Sequence, residues 1–256
     1  MNLSDCFGIG AGHKCMISFA GGGGKTSTMF RLAGESKTRD RKVLVTTTTA
    51  IYYPESSQYD FIFLAEEPEA LIKQTAHTEK GSITVAGSRI LEDGKIKGID
   101  PAWADRLFDE GVFDVILVEA DGSRQKPIKA PDAHEPVIPM RTSVLAGIIG
   151  IDCYGKEIGP SAVHRPHILA GITRRQIGDV IDAGVIVELV LSPGGLFKNC
   201  PDHSEKLLFI NKVRNGEEMK TAEKIGLSVL KSGCGVEKVV IGSVLGICPV
   251  QLVMKG

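Results

Sequence analysis

This sequence predicts an α/β fold, a mostly parallel sheet with helices on both faces, and three observations predict it. First, short and solidly apolar runs recur along the chain, at residues 16–20, 43–45, 61–64, 83–86, 115–118, 144–151, 207–210 and 239–241. They do not alternate apolar with polar residues, as half-exposed strands would, so they fit strands covered on both sides. Second, stretches of helical length lie between several of them, at 26–35, 68–78, 101–110 and 217–231. Alternating strands and helices favour parallel pairing with helical crossovers. Third, a run of glycines joins the first strand to the first helix, the connection at which such folds bind phosphate.

That loop reads Gly21-Gly22-Gly23-Gly24-Lys25-Thr26, after the strand Met16-Ile17-Ser18-Phe19-Ala20 and before a helix starting near Ser27. Glycines let backbone N–H groups turn toward phosphate oxygens, and a helix N-terminus adds partial positive charge. Gly21 to Ser27 are therefore the expected phosphate-binding residues. Lys25 is placed to reach the terminal phosphates, and the Thr26 hydroxyl to ligate Mg²⁺. The common pattern G-x-x-x-x-G-K-[ST] wants glycine where Phe19 stands, so the chain carries the shorter G-x-x-G-K-T. That form resembles the ATP loop of Mur-type peptide ligases more than the loop of small GTPases. The expected fold is thus P-loop NTPase-like.

A length of 256 residues suits one large α/β domain, read here as residues 1–256, with enough core to need no disulfides. A net charge of −1 gives no electrostatic case for nucleic acid or an anionic membrane as partner, so any basic site must be local. Six cysteines without a C-x-x-C pair read as reduced thiols of a cytoplasmic protein. Cys200-Pro201-Asp202-His203 has a spacing two metal ligands can use, but no second pair accompanies it. No apolar run reaches the roughly 18 residues of a membrane span, and no signal peptide is read at the N-terminus.

Three segments depart from the alternation. Asp93-Gly94 stands between short arms at 89–97, a hairpin signature, so residues 81–99 are read as a β-hairpin insertion on the main sheet. Pro127, Pro131, Pro136 and Pro139 exclude a regular helix or central strand between 122 and 140. Thr173-Arg174-Arg175-Gln176 reads as a capping box opening a helix through Ile181.

Chemistry gathers after the fifth apolar run. Val115-Ile116-Leu117-Val118 ends in Glu119-Ala120-Asp121-Gly122, and strand alternation puts Glu119 and Asp121 on one side. Carboxylates there face the glycine loop, where one can hold Mg²⁺ and the other act as base or anchor. Asp121 is the expected metal-linked acid, with Glu119 as its companion. Thr46-Thr47-Thr48-Thr49 ends the second strand, and Thr47 is the expected further metal contact, with β-propensity as the plain alternative. On the proline loop, Arg124 and His134 are the expected substrate-facing residues, and Lys126 and Lys129 add positive charge. His164-Arg165-Pro166-His167 offers a second acid or cation. Asn211-Lys212-Val213-Arg214 begins like the guanine-reading N-K-x-D of GTPases. Arginine has no acceptor for the base, which disfavours GTP and leaves Asn211 and Lys212 to flank a nucleotide.

Taken together, these residues resemble the YqeC family, the selenium-dependent hydroxylase accessory proteins. The resemblance rests on Gly21 to Thr26, Val43 to Thr49, Val118-Glu119-Ala120-Asp121-Gly122-Ser123, Lys126-Pro127-Ile128-Lys129-Ala130-Pro131 and His134-Glu135-Pro136-Val137-Ile138-Pro139. His164-Arg165-Pro166 and Asn211-Lys212-Val213 extend it, and Arg214 departs from it, since an aspartate is the more usual residue there. It implies a nucleotide-binding accessory protein that takes ATP, less readily GTP, with Mg²⁺. Its implied partners are a selenium-dependent molybdenum hydroxylase or the proteins that assemble its cofactor. An ATP-dependent transferase, ligase or NTPase is one expected activity; a nucleotide-dependent chaperone or GTPase-like switch is the other.

Overall fold

A computed structural model describes residues 2–10 and 12–256. Short α1 (Leu3–Cys6) leads into β1 (Cys15–Gly21), the glycine loop and α2 (Lys25–Lys37). Then follow β2 (Val43–Thr47), β3 (Ala50–Tyr52), β4 (Phe61–Leu64), α3 (Pro68–Thr75), β5 (Ile83–Gly87), β6 (Arg89–Ile90), β7 (Lys95–Lys97), α4 (Pro101–Asp109) and β8 (Val115–Glu119). The second half carries β9 (Ile128–Lys129), β10 (Val144–Gly150), β11 (Val163–His164), α5 (Pro166–Thr173) and α6 (Ala183–Leu191). It ends with β12 (Glu205–Asn211), α7 (Gly216–Lys231), β13 (Val236–Gly242) and β14 (Val250–Lys255).

Among the described residues nine strands form the central sheet, in the order β14-β13-β12-β10-β1-β8-β2-β5-β4, and every pair is parallel except β13 with β14. The fold is therefore mixed α/β, with a mostly parallel sheet flanked by helices. Alternation along each strand decides which helices it meets. Ile17 and Phe19 of β1, Val43 and Val45 of β2, and Val115 and Leu117 of β8 pack with α1 and α2. Met16, Leu44 and Ile116 face the other way, against α3 and α4. Beyond β1, Leu145, Leu208 and Val239 occupy that second face against α6 and α7.

The chain reverses direction beside the glycine loop. After β1 it crosses to β2, on the β8 side; after β10 it continues to β12, on the opposite side. The adjacent carboxyl ends of β1 and β10 are thus a topological switch point, where open parallel sheets form a ligand crevice.

Two smaller sheets flank this crevice. β3 and β6 both pair antiparallel with β7, giving a three-stranded sheet. Residues 83–87 join the central sheet as β5, so only the 89–97 portion of the expected insertion leaves it, and it pairs with β3 instead of extending the main sheet. The two-residue strands β9 and β11 pair parallel and tie the proline-rich segment to the entrance of α5.

One expected helix is absent. Thr173 closes α5 instead of opening a helix: its hydroxyl donates to the Leu169 carbonyl, and Arg174 takes a left-handed conformation, φ 50°, as the C-cap. The pattern Thr-x-x-Gln stands where a preceding Pro166 had already started a helix. The chain's α6 was masked by its composition, since its apolar run is rich in the β-branched residues Val185, Ile186, Val187 and Val190.

Gly23 has φ 80°, and a Cβ there would stand 2.1 Å from the Gly150 nitrogen at the switch point. Gly34, inside α2, has open space around the same position. Gly23→Ala is expected to lower the unfolding free energy by about 2 kcal/mol or more. Gly34→Ala should raise it by about 0.5–1 kcal/mol. Denaturant unfolding of the two variants checks both signs.

Candidate functional site

The glycine loop approaches its neighbours too closely for side chains. Besides Gly23, Gly24 has φ 120° and lies where a Cβ would meet the Asn211 amide at 2.6 Å. The loop is pinned from below: Gly21 N–H donates to Asp121 Oδ2, Gly22 N–H to the Ile148 carbonyl and Gly23 N–H to the Lys126 carbonyl. Asn211 Nδ2 donates to the Gly23 carbonyl while its Oδ1 accepts from Val244 N–H. Asn211 is thus a buried clamp on the loop, behind the crevice rather than facing it. The donors left to face a ligand are those at the start of α2. Asp100, Asp182 and Asn215 cap α4, α6 and α7 with their side chains, whereas Gly24 offers α2 no such cap. The first-turn N–H groups of α2 have no intrahelical acceptor, and they open on the crevice with the helix dipole behind them.

The two acids of the β8 terminus divide their work. Glu119 continues the face of Val115 and Leu117 toward α2, so the Thr26 hydroxyl donates to its Oε2 at 2.6 Å. Asp121 turns beneath the loop. Lys25 Nζ lies 3.1 Å from Asp121 Oδ1 and donates to the Gly21 carbonyl at 2.6 Å, while Lys129 Nζ lies 3.0 Å from Asp121 Oδ2. Asp121, the acid expected nearest the metal, is therefore held by two ammonium groups, and the acid beside Thr26 is Glu119.

From Lys129 the ion pairs continue outward. Its ammonium reaches Glu135 at 2.6 Å and donates to the Gly122 carbonyl. Glu135 also receives two hydrogen bonds from Arg165, whose Nε lies 3.2 Å from Asp132. Lys129, which composition suggests as a substrate contact, is completely buried as the middle of this chain of charges. Lys25 is only 3% exposed, so it is a packed and paired residue as well as a loop cation.

A cleft of about 1240 Å³ opens above these groups. Lys25, Thr26, Ser27, Glu119, Arg124 and Lys212 all line it. Thr47 does not: it is buried, its hydroxyl donates to the Glu119 carbonyl, and Thr49 lines the cleft in its place. His134 is exposed on a turn away from the cleft, and the histidine that lines it is His164. Proline spacing explains the misplacement, because His134 precedes Pro136 on an outward turn whereas β11 pairing with β9 directs His164 inward. Arg214 pairs with Glu218 outside the cleft. Tyr52, Lys95 and Arg165 also line the cleft. Only Arg165 carried a sequence signal, since Tyr52 and Lys95 reach the cleft through pairing of β3 with β7. Among the described residues no three His, Cys, Asp or Glu side chains gather into a metal cluster, and the 200–203 spacing forms none. No helix among them is long and apolar enough to cross a membrane.

Burial raises the Glu119 carboxyl, against the opposing pull of Lys25 and the Thr26 hydroxyl. Burial also pushes Glu135 up, but hydrogen bonds from Arg165 and Lys129 outweigh it and hold Glu135 down at about 2. His164 is lowered to about 4 by burial and by the charges of Arg165, Lys129 and Arg124, so it is a neutral imidazole at pH 7. Glu135 and His164 both have folded values below their unfolded ones. Their stabilisation is present above the unfolded pKa and is lost as pH falls. Stability is expected to decline from about pH 6.5 to 4 through His164, and from about pH 4.5 to 2 through Glu135. His164→Asn should flatten the upper window only, which denaturant unfolding across pH 3–8 measures.

Comparison with known proteins agrees on one family. Residues 17–167 match the family model described as YqeC protein. A protein of Escherichia coli (strain K12), named "Uncharacterized protein YqeC", is 36% identical over 197 residues, covering 77% of this chain and 75% of that one. With the glycine loop, Glu119, Asp121, Lys129, Glu135 and Arg165 all inside the matched segment, the chain belongs to the YqeC family.

Proposed function

We propose that this chain binds ATP with Mg²⁺ in the cleft above the glycine loop and acts as a P-loop nucleotide-dependent accessory protein. The observation that carries the reading is the uncapped start of α2, with Lys25 beside it and the Thr26 hydroxyl paired to Glu119. Backbone donors and a helix dipole open on the cleft there, at a switch point of the sheet, with the Lys25 ammonium held close beneath them by Gly21 and Asp121. Thr26 and Glu119 are the oxygen donors that fit Mg²⁺, which keeps most of its ligands as water and phosphate and so needs no protein cluster. When bound, the ion would screen phosphate charge and orient the terminal phosphoryl group. In this reading Lys25 exchanges the Gly21 carbonyl for phosphate oxygen, Asp121 holds the loop, and Glu119 replaces Asp121 as the metal-side acid. Hydrolysis or group transfer to a cofactor would follow. The assignment to maturation of selenium-dependent molybdenum hydroxylases rests on the family resemblance alone.

A second reading, a GTP-dependent switch, has one observation in its favour. Asp152 pairs through Oδ2 with cleft-lining Lys212 at 3.0 Å, while its buried Oδ1 has no hydrogen-bond partner among the described residues. Such an acceptor beside Lys212 suits the N–H groups of guanine, in place of the carboxylate that Arg214 lacks.

Calorimetric titration with ATP and GTP, each with and without Mg²⁺, separates the two. Tighter Mg²⁺-dependent ATP binding supports the first reading, GTP preference the second, and binding of neither overturns both. Thr26→Val is expected to weaken Mg²⁺-nucleotide binding about tenfold or more while changing metal-free binding little. Unchanged Mg²⁺ dependence in that variant would remove Thr26 from the metal site.

A further inference from the structure

The cleft is larger than one nucleotide requires, and its unused half has its own chemistry. At about 1240 Å³ it exceeds the roughly 300–1,000 Å³ of a single small-molecule pocket. The α2 start, Glu119 and Lys212 occupy one part of the lining. The remainder is built by the two small sheets and the segment after β8. Tyr52 and Lys95 are direct cross-strand partners of β3 and β7, with the Lys95 ammonium 5.1 Å from the Tyr52 ring centre. On the other side β11 and its successor present His164 and Arg165.

Arg124 lines the same cleft as both walls. It is exposed, and among the described residues it makes no ion pair, unlike Lys25, Lys95, Arg165 and Lys212. Its backbone is also held off the ordinary minimum. Seven described non-glycine residues have positive φ, and four of them line this cleft: Arg124 at 48°, Gln125 at 61°, Arg165 at 64° and Lys212 at 67°. Left-handed backbone at bulky residues persists where the surroundings impose it, and it gathers at ligand clamps. Among the described residues five cations line the cleft against two acids, in a chain whose net charge is −1. Tyr52, which lines the same cleft, is an exposed aromatic residue, 58% accessible as a whole.

We infer that this half of the cleft is a second binding site, for a small phosphomonoester carrying a flat aromatic or heteroaromatic group. Arg124 and Lys95 take the phosphate, by charge-assisted hydrogen bonds that a planar guanidinium is suited to make. The flat group stacks on Tyr52. Neutral His164 is available as an acceptor for a hydroxyl or N–H of the same molecule. The inference rests on the nucleotide reading for its neighbour across the cleft, and it names the class of the second substrate.

Phenyl phosphate and inorganic phosphate serve as probes, titrated calorimetrically into the whole chain with and without saturating Mg²⁺-ADP. Phenyl phosphate is expected to bind about tenfold or more tightly than inorganic phosphate, and to remain bound when ADP is present. Arg124→Asn, chosen because asparagine tolerates left-handed backbone, should weaken both probes about tenfold or more. Tyr52→Ala, at an exposed position, should abolish only the advantage of phenyl phosphate. One-for-one displacement by ADP, equal binding of the two probes, or unchanged binding in Arg124→Asn would each overturn the proposal. Failure of ADP itself to bind, with the probe pattern intact, would overturn the nucleotide reading and leave this site standing.

Discussion

The buried carboxylate of Asp121, held between the ammonium groups of Lys25 and Lys129, is the interaction on which the rest of the site depends. It accepts the Gly21 N–H, so the glycine loop, the start of α2, the end of β8 and the proline-rich segment all meet at one side chain. Charges this deep in a protein are stable only when paired and hydrogen-bonded. Each of the two lysines has a further acceptor, the Gly21 carbonyl for Lys25 and the Gly122 carbonyl for Lys129. The pairing runs on through Glu135 to Arg165, which places the entrance of α5 by the same electrostatic chain. Moving Lys25 toward a ligand would leave Asp121 with Lys129 alone, so occupation of the loop and the set of the outer wall share a common charge balance.

Backbone geometry supplies what charge cannot. The switch point between β1 and β10 leaves a crevice because the two crossovers diverge, and the close approach of Gly23 to Gly150 keeps it narrow at its base. Strand parity then decides the chemistry of each acid. Glu119 continues the α2 face of β8, so it meets Thr26 whatever else the loop does. Asp121 stands beyond the strand end, where the chain is already turning, and its direction follows its lysine partners rather than the pleat. The small sheets add walls to a crevice the main sheet alone would leave open.

Much of this was readable from the chain. Apolar runs locate eight strands of the central sheet: seven lie inside it, largely buried, and the half-buried edge strand β4 is marked by its uninterrupted Phe61-Ile62-Phe63-Leu64. β14, the other edge, carries no such run, because Gln251 and Lys255 interrupt its apolar residues and its side chains are half-exposed or exposed. The glycine loop and the carboxylates after β8 were visible because their residue types and order are uncommon together. Their division of labour was not, since Glu119 and Asp121 share a side in any extended reading and only the positions of Thr26, Lys25 and Lys129 distinguish them. Thr47 and Asn211 carried the right chemistry for a ligand but spend it on the protein, on the Glu119 carbonyl and the Gly23 carbonyl. His134 and His164 look alike as sequence, and pairing of β9 with β11 separates them. Tyr52 and Lys95 are 43 positions apart in the numbering and become neighbours only through antiparallel pairing, which residue spacing does not encode.

The most direct measurement is the unfolding free energy of Asp121→Asn beside that of Glu119→Gln, from denaturant titration at pH 7. If Asp121 is the counter-ion that holds two buried lysines, Asp121→Asn should lose about 3 kcal/mol or more, because both ammonium groups lose their shared charge partner. Glu119→Gln keeps an acceptor for the Thr26 hydroxyl and should lose distinctly less. An Asp121→Asn protein within about 1 kcal/mol of the unaltered chain would contradict the central role of this carboxylate.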